Sequence, residues 1–203
     1  GRTPETLFRI LAGERCRRAP WNRVRFFWAD ERWVSHDNPE SNFGNARRLL
    51  LEPLAISPDH MFPMSESSPQ SMEEADIHAA AKRYSALLRR SLPTDAGVPI
   101  FDLILLGMGA DGHTASLFPG VEPEAPSDPC SATRHPQTGA PRLTLTLPVL
   151  NQAKRVLFLV TGADKATAIR KLRTDSRCDL PAAAVKPRSG PAAWYLDRAA
   201  AGE

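Results

Sequence analysis

Phe101-Asp-Leu-Ile-Leu-Leu-Gly-Met-Gly-Ala-Asp-Gly-His-Thr-Ala-Ser-Leu-Phe-Pro-Gly120 decides how this chain is read. Ile100 to Leu106 is an apolar run of strand length without polar alternation. That pattern suits a strand buried on both faces, as in a parallel sheet. The run empties into Gly107, Gly109 and Gly112, which deliver Asp111, His113, Thr114 and Ser116 at one place. In open α/β sheets ligands bind beyond the carboxyl ends of the strands. A buried strand ending in glycines, a carboxylate and an imidazole therefore predicts an active-site wall.

Two other readings compete. Gly107-Met-Gly-Ala-Asp-Gly112 has the form G-x-G-x-x-G, the dinucleotide fingerprint, which also needs a longer helix and an acidic residue about 20 positions on. Phe118-Pro119-Gly120 cuts the helix short, and a proline-rich segment without a strand follows. The plainer reading is a glycine turn holding a satisfied histidine, and the rest of the chain weighs against it. The motif as a whole resembles the signature of the 6-phosphogluconolactonase family, G-M-G-x-D-G-H-T-A-S-L-F-P. Related sugar-phosphate isomerase/deaminases carry a similar D-G-H followed by I-A-F-N-E-P. Thr114-Ala-Ser-Leu-Phe-Pro119 falls on the lactonase side.

Moving outward, the 203 residues suffice for one sizeable core, and 42% hydrophobic with 24% charged residues is ordinary for a globular protein. No apolar run reaches the ~20 residues of a membrane span, and no secretory signal opens the chain. The net charge of +3 hints weakly at anionic ligands, but the arginines are scattered, which gives nucleic-acid binding little support. Cys16, Cys130 and Cys178 are far apart, with no C-x-x-C pair. This argues against a disulfide framework or structural zinc and fits a reducing, cytoplasmic compartment.

Thr3-Pro4 reads as a helix start, with Thr3 as cap, Leu7, Phe8, Ile10 and Leu11 as its apolar face, and Gly13 as its stop. In the lactonase family a strand and a glycine-serine loop ending in Arg-Thr-Pro lead into this helix. Gly1-Arg2-Thr3-Pro4 resembles the end of that loop. The resemblance thus implies one domain over 1–203, shortened at its N-terminus by about one helix and one strand. It also makes Arg2 and Thr3 candidate phosphate contacts at a helix N-terminus, where exposed N–H groups favour anions.

Arg23 to Ala29 reads as a strand ending in Asp30-Glu31-Arg32-Trp33-Val34, similar to the family's D-E-R-x-V where the deaminases have D-E-Y. Ser41 and Asn42 cap the next helix, through Ala46, Leu49 and Leu50. His36 and His60 lie in polar loops and read as solvated. Ser71-Met-Glu-Glu74 is a capping box opening a helix to about Leu92, with His78 structural. Pro119 to Pro141 reads as a long irregular excursion. Arg142-Leu-Thr-Leu-Thr-Leu-Pro148 alternates, so it predicts a half-exposed strand of a small antiparallel addition, with Arg142 a candidate ligand contact. Arg155 to Val160 is another buried strand, and Gly162, Lys165 and Ala166 match the family's G-x-x-K-A. Lys165 would sit in a helix's first turn, where a cation is mildly unfavourable. Ala193 to Asp197 forms the last strand.

The expected fold is a three-layer αβα arrangement with a mostly parallel, Rossmann-like sheet plus a small antiparallel addition. Asp30–Arg32, Gly107–His113 and Thr161–Lys165 would then face one crevice. No Ser or Cys elbow and no histidine pair with metal-ligand spacing is present, so neither a metal nor another cofactor is expected. His113 would act as general base, with Asp111 or Asp30 orienting it. Arg32, Arg142 and Lys165 would share phosphate anchoring and oxyanion stabilisation, and Gly109 would let backbone approach the ligand. The resemblance implies hydrolysis of 6-phospho-D-glucono-1,5-lactone to 6-phosphogluconate in the oxidative pentose phosphate pathway, by a monomer or weak homo-oligomer. The alternatives are an isomerase/deaminase of glucosamine-6-phosphate type and a non-catalytic sugar-phosphate sensor of the same fold.

Overall fold

A computed structural model of the chain describes residues 2–65 and 74–203. Helix α1 (Arg2–Ala12) packs Phe8, Leu11 and Ala12 on the core, while Ile10, expected on that face, is 61% exposed. Thr3 is not its cap but lies inside the first turn. Gly13 stops the helix and α2 (Glu14–Arg17) follows. The strand expected from Arg23 begins instead with a 3₁₀ turn at Trp21–Arg23, and only Phe26–Phe27 pair as β1. Next come β2 (Asp30–Arg32), α3 (Asn42–Ala46) running into a π-turn to Leu51, and β3 (Met61–Phe62). Helix α4 (Glu74–Ser91) leads to the short hairpin β4 (Thr94–Asp95) and β5 (Val98–Pro99). Of the Ser71–Glu74 capping box, residues 71–73 lie outside the described residues.

The motif strand is β6 (Ile104–Leu106), followed by β7 (Cys130–Arg134), β8 (Pro141–Leu145), α5 (Leu147–Gln152) and β9 (Val156–Val160). Helices α6 (Ala166–Thr174) and α7 (Pro181–Ala184), strand β10 (Ala193–Leu196) and helix α8 (Arg198–Ala201) complete the chain. Strand β7 lies in the stretch read as irregular. It has no apolar alternation to announce it, yet Cys130 to Thr133 are all buried.

The architecture is mixed α/β. Strands β10, β9 and β6 run parallel in that order, β1 and β3 form a second parallel pair, and β2, β8 and β7 make a three-stranded antiparallel sheet. Alternation sorts the first sheet into two faces. Ile104, Leu106, Val156, Phe158 and Val160 point into the core, where Phe158 stacks on Trp194 at 3.9 Å. Leu105 and Tyr195 share the other face and are 45% and 59% exposed, so β6 is not buried on both faces as its composition suggested. The antiparallel sheet was expected, but β2 was not expected to belong to it. Strand β8 is also more buried than an alternating pattern implies, because the motif loop covers Thr144.

Helix α4 locks the sheets together. Tyr84 accepts from the Trp28 amide at 3.0 Å, and Ser85 accepts from the Cys130 amide at 3.0 Å. His36 and His60, read as solvated, are structural. His36 is 5% exposed against the Phe43 ring, and burial, aided by the Arg47 charge, lowers its pKa. His60 bonds the Val24 carbonyl through Nδ1 at 3.0 Å.

Glu31 is 1% exposed in the middle of β2. Its Oε1 accepts from the amides of Arg32 at 2.8 Å and Asn42 at 2.7 Å, and its Oε2 from Phe43 N–H at 2.8 Å and Ser41 Oγ at 3.1 Å. Burial pushes its carboxyl up, against the three backbone donors, and the Asp30 charge adds to the push. One carboxylate thus fastens the start of α3 to β2. A glutamine here must turn its NH₂ toward at least one of these donors. Glu31→Gln should therefore cost about 1–3 kcal/mol of stability in denaturant titration. An unchanged midpoint would show that the clamp contributes nothing.

Candidate active site

The antiparallel register sets out two polar rows. Arg32 lies opposite Arg142, which lies opposite Thr133; Asp30 lies opposite Thr144, which lies opposite Ser131. The row between them, Glu31, Leu143 and Ala132, faces the core. Two arginines side by side repel one another, and this pair is also partly desolvated. Burial first, then the charge of Arg32, draws the Arg142 guanidinium below its usual range. An anion between them would relieve both costs. Arg32 donates through Nη1 to the Glu40 carbonyl, which fixes its head.

The motif loop crosses this sheet. Ser116 Oγ donates to Asp30 Oδ2 at 2.8 Å, and the Ser116 amide donates to Thr144 Oγ1 at 3.2 Å. On its other side Asp30 Oδ1 accepts from Asn42 Nδ2 at 3.1 Å. Asp30 therefore ties β2, α3 and the loop together, and it does not touch His113. Ala115, at φ 49°, and the Thr114–Leu117 bridge give the loop its tight bend.

Asp111 is the residue on His113. Its Oδ1 accepts from the ring Nδ1 at 2.6 Å and from the His113 amide at 3.2 Å. Burial raises the Asp111 pKa, but the hydrogen bonds and charge of His113 outweigh it and leave the carboxyl below its usual range. An ionised carboxylate accepts only, so Nδ1 carries the proton and Nε2 keeps a free lone pair. Gly109 makes room: a Cβ there would lie 2.2 Å from both Nδ1 and Cε1 of the ring. Phe118 covers one side of the imidazole, with ring centroids 5.0 Å apart.

Strands β6 and β9 are parallel, so the segments after them leave at one edge of the sheet. After β9, Gly162 takes φ +103° and donates to both carboxylate oxygens of Asp197 at 3.1 Å. Lys165 is not in the first helical turn. It ends a 3₁₀ turn and serves as the N-cap residue of α6, its ammonium held by Asp164 Oδ2 at 2.6 Å. Thr3 Oγ1 bonds Thr161 Oγ1 at 2.6 Å, bringing the start of α1 to this segment. Arg2 opens α1, and its side chain lies outside the described residues. Among the described residues, no cluster of three or more His, Cys, Asp and Glu could hold a metal ion.

The family model for glucosamine-6-phosphate isomerases/6-phosphogluconolactonase matches residues 1–194. The chain belongs to this family. It is 40% identical over 183 residues to a 6-phosphogluconolactonase of Treponema pallidum, covering 89% of this chain and 73% of that protein. A 6-phosphogluconolactonase of Haemophilus influenzae is 36% identical over 203 residues, covering 98% and 83%. The solved structure of the Trypanosoma brucei 6-phosphogluconolactonase superposes with a TM-score of 0.83 at 31% identity, covering 100% of this chain and 82% of that one.

Three residues that build this family member's site, Glu31, Ser116 and Thr144, had no role assigned from the sequence. Glu31 and Ser116 are in quoted motifs, but their partners are fixed only by tertiary contact. Thr144 is two residues from Arg142 on the same face, a period-two signal that was available. The Gly109 contact gives a direct test. Gly109→Ala should fold normally by circular dichroism, yet displace the imidazole and lower kcat/KM about 10²-fold. Wild-type turnover in the variant would mean that the ring's position is not decisive.

Proposed function

We propose that the chain hydrolyses 6-phospho-D-glucono-1,5-lactone to 6-phospho-D-gluconate, with His113 as general base. The observation that supports this most is the Asp111–His113 pair, which leaves Nε2 as a proton acceptor on the loop that crosses the sheet carrying Arg32 and Arg142. His113 takes a proton from water, and the hydroxide so formed attacks the lactone carbonyl. The tetrahedral oxyanion is stabilised by the Arg32–Arg142 row. On collapse the C–O bond to the ring oxygen breaks, and that oxygen takes the proton back from His113. Water is consumed and no electron is transferred, so no redox cofactor enters. Lys165, with Arg2, Thr3 and the N-terminus of α1, anchors the phosphate, the division of charge that best fits their separation by element. Asp30 holds the loop rather than the base. The compartment is the cytoplasm, which suits the three free cysteines, and the working unit is a monomer or weak homo-oligomer.

The purified chain should release acid from the lactone in a pH-stat in the presence of EDTA, above the spontaneous rate. Loss of turnover with EDTA and its return with a divalent metal would overturn the mechanism. Release of ammonia from glucosamine 6-phosphate would overturn the substrate.

His113→Asn preserves size and one hydrogen bond but removes the acceptor. It should lower kcat by ~10²–10⁴ while 6-phosphogluconate affinity stays near wild type. A variant with normal kcat would return His113 to a loop-ordering role.

A further inference from the structure

Phe118 is 5% exposed and touches two imidazoles, not one. Its ring lies 5.0 Å from His113 and 5.1 Å from His135, the second contact being edge-to-face. His135 belongs to the tip between β7 and β8. The hairpin closes there through His135 N–H to Ala140 O at 2.9 Å and Gly139 N–H to His135 O at 2.8 Å. It is two residues beyond Thr133, which pairs with Arg142 in the arginine row. His135 thus lies next to that row along the strand direction and shares the Phe118 wall with His113.

The turn also settles the ring's tautomer. His135 Nδ1 accepts from the amides of Gln137 at 3.3 Å and Thr138 at 3.4 Å. A nitrogen that accepts carries no proton, so in the neutral ring the hydrogen is on Nε2. The two imidazoles flanking Phe118 are therefore complementary. His113 offers a lone pair at Nε2, and His135 offers an N–H. Neither the catalytic base nor the phosphate anchors account for a half-buried donor held at this rim.

We propose that His135 is a substrate-contacting residue, its Nε2–H donating a hydrogen bond to an oxygen of the sugar-phosphate lactone. This rests on the lactonase reading above. The donor adds binding to ground and transition states alike, so its signature is in KM rather than kcat.

Two isosteres separate this role from a structural one. The Oδ1 of asparagine replaces Nδ1 as acceptor in the turn but leaves nothing at Nε2. The amide NH₂ of glutamine replaces Nε2–H but loses the turn acceptor. His135→Asn should raise KM for the lactone, and Kd for 6-phosphogluconate by calorimetry, about three- to ten-fold with kcat little changed. His135→Gln should stay within about two-fold of wild type, although its melting temperature falls further. If Asn behaves as wild type, or Gln is as damaging as Asn, the contact does not exist and His135 serves the turn. The lactonase reading is judged separately, by wild-type turnover in the same assay.

Discussion

A buried carboxylate with four donors around it is the constraint from which the rest follows. Glu31 is in the middle of β2, yet its oxygens are occupied by the start of α3, so the loop between them is closed by one side chain. The residues on either side of Glu31 inherit its rigidity. Asp30 and Arg32 face the opposite side of the sheet because a strand alternates. One inward glutamate thereby presents an outward aspartate and arginine at fixed spacing. The cost of burying the charge is offset by donors that a helix N-terminus would otherwise leave to water.

The site is assembled from two scaffolds that meet at right moments of the chain. The parallel sheet supplies the Asp111–His113 pair and the Lys165 segment from the ends of β6 and β9. The antiparallel sheet supplies the double arginine row as a back wall. Ser116 joins the two by bonding Asp30 and Thr144 from within the motif loop. The imidazole–carboxylate pair and the paired arginines therefore come from different sheets, and a short loop sets the distance between them.

Much of this was legible in the chain. The apolar run before Gly107, the cap at Ser41 and the alternation after Arg142 each carry a local signature, and each gave the right type of element. What failed was information that is not local. Nothing in Cys130-Ser-Ala-Thr-Arg134 marks a strand, since Ser131 and Thr133 are polar yet buried, and Ser131 accepts from the Ala125 amide of the preceding loop. Polar flanks made His36 look solvated, whereas Phe43 and Ser65 enclose it from elsewhere in the chain. In the site, the neighbours Asp111 and His113 could be read together because a single residue, Gly112, separates them. That Asp30 serves Ser116 and Asn42 instead of the imidazole depends on where the loop lies, which spacing does not encode.

Gly109 has a wider consequence for how this scaffold can change over time. Only hydrogen fits at that position without moving its neighbours, since any carbon would overlap the imidazole and the Asp111 carboxylate at once. Mutational freedom is therefore narrow beneath the Asp111–His113 pair and wider at the hairpin tip and the loop around Glu40. A lineage descending from this chain that came to prefer another ring size or another anionic group would record the change in those rim segments. The centre would stay unaltered while the repertoire moved around it.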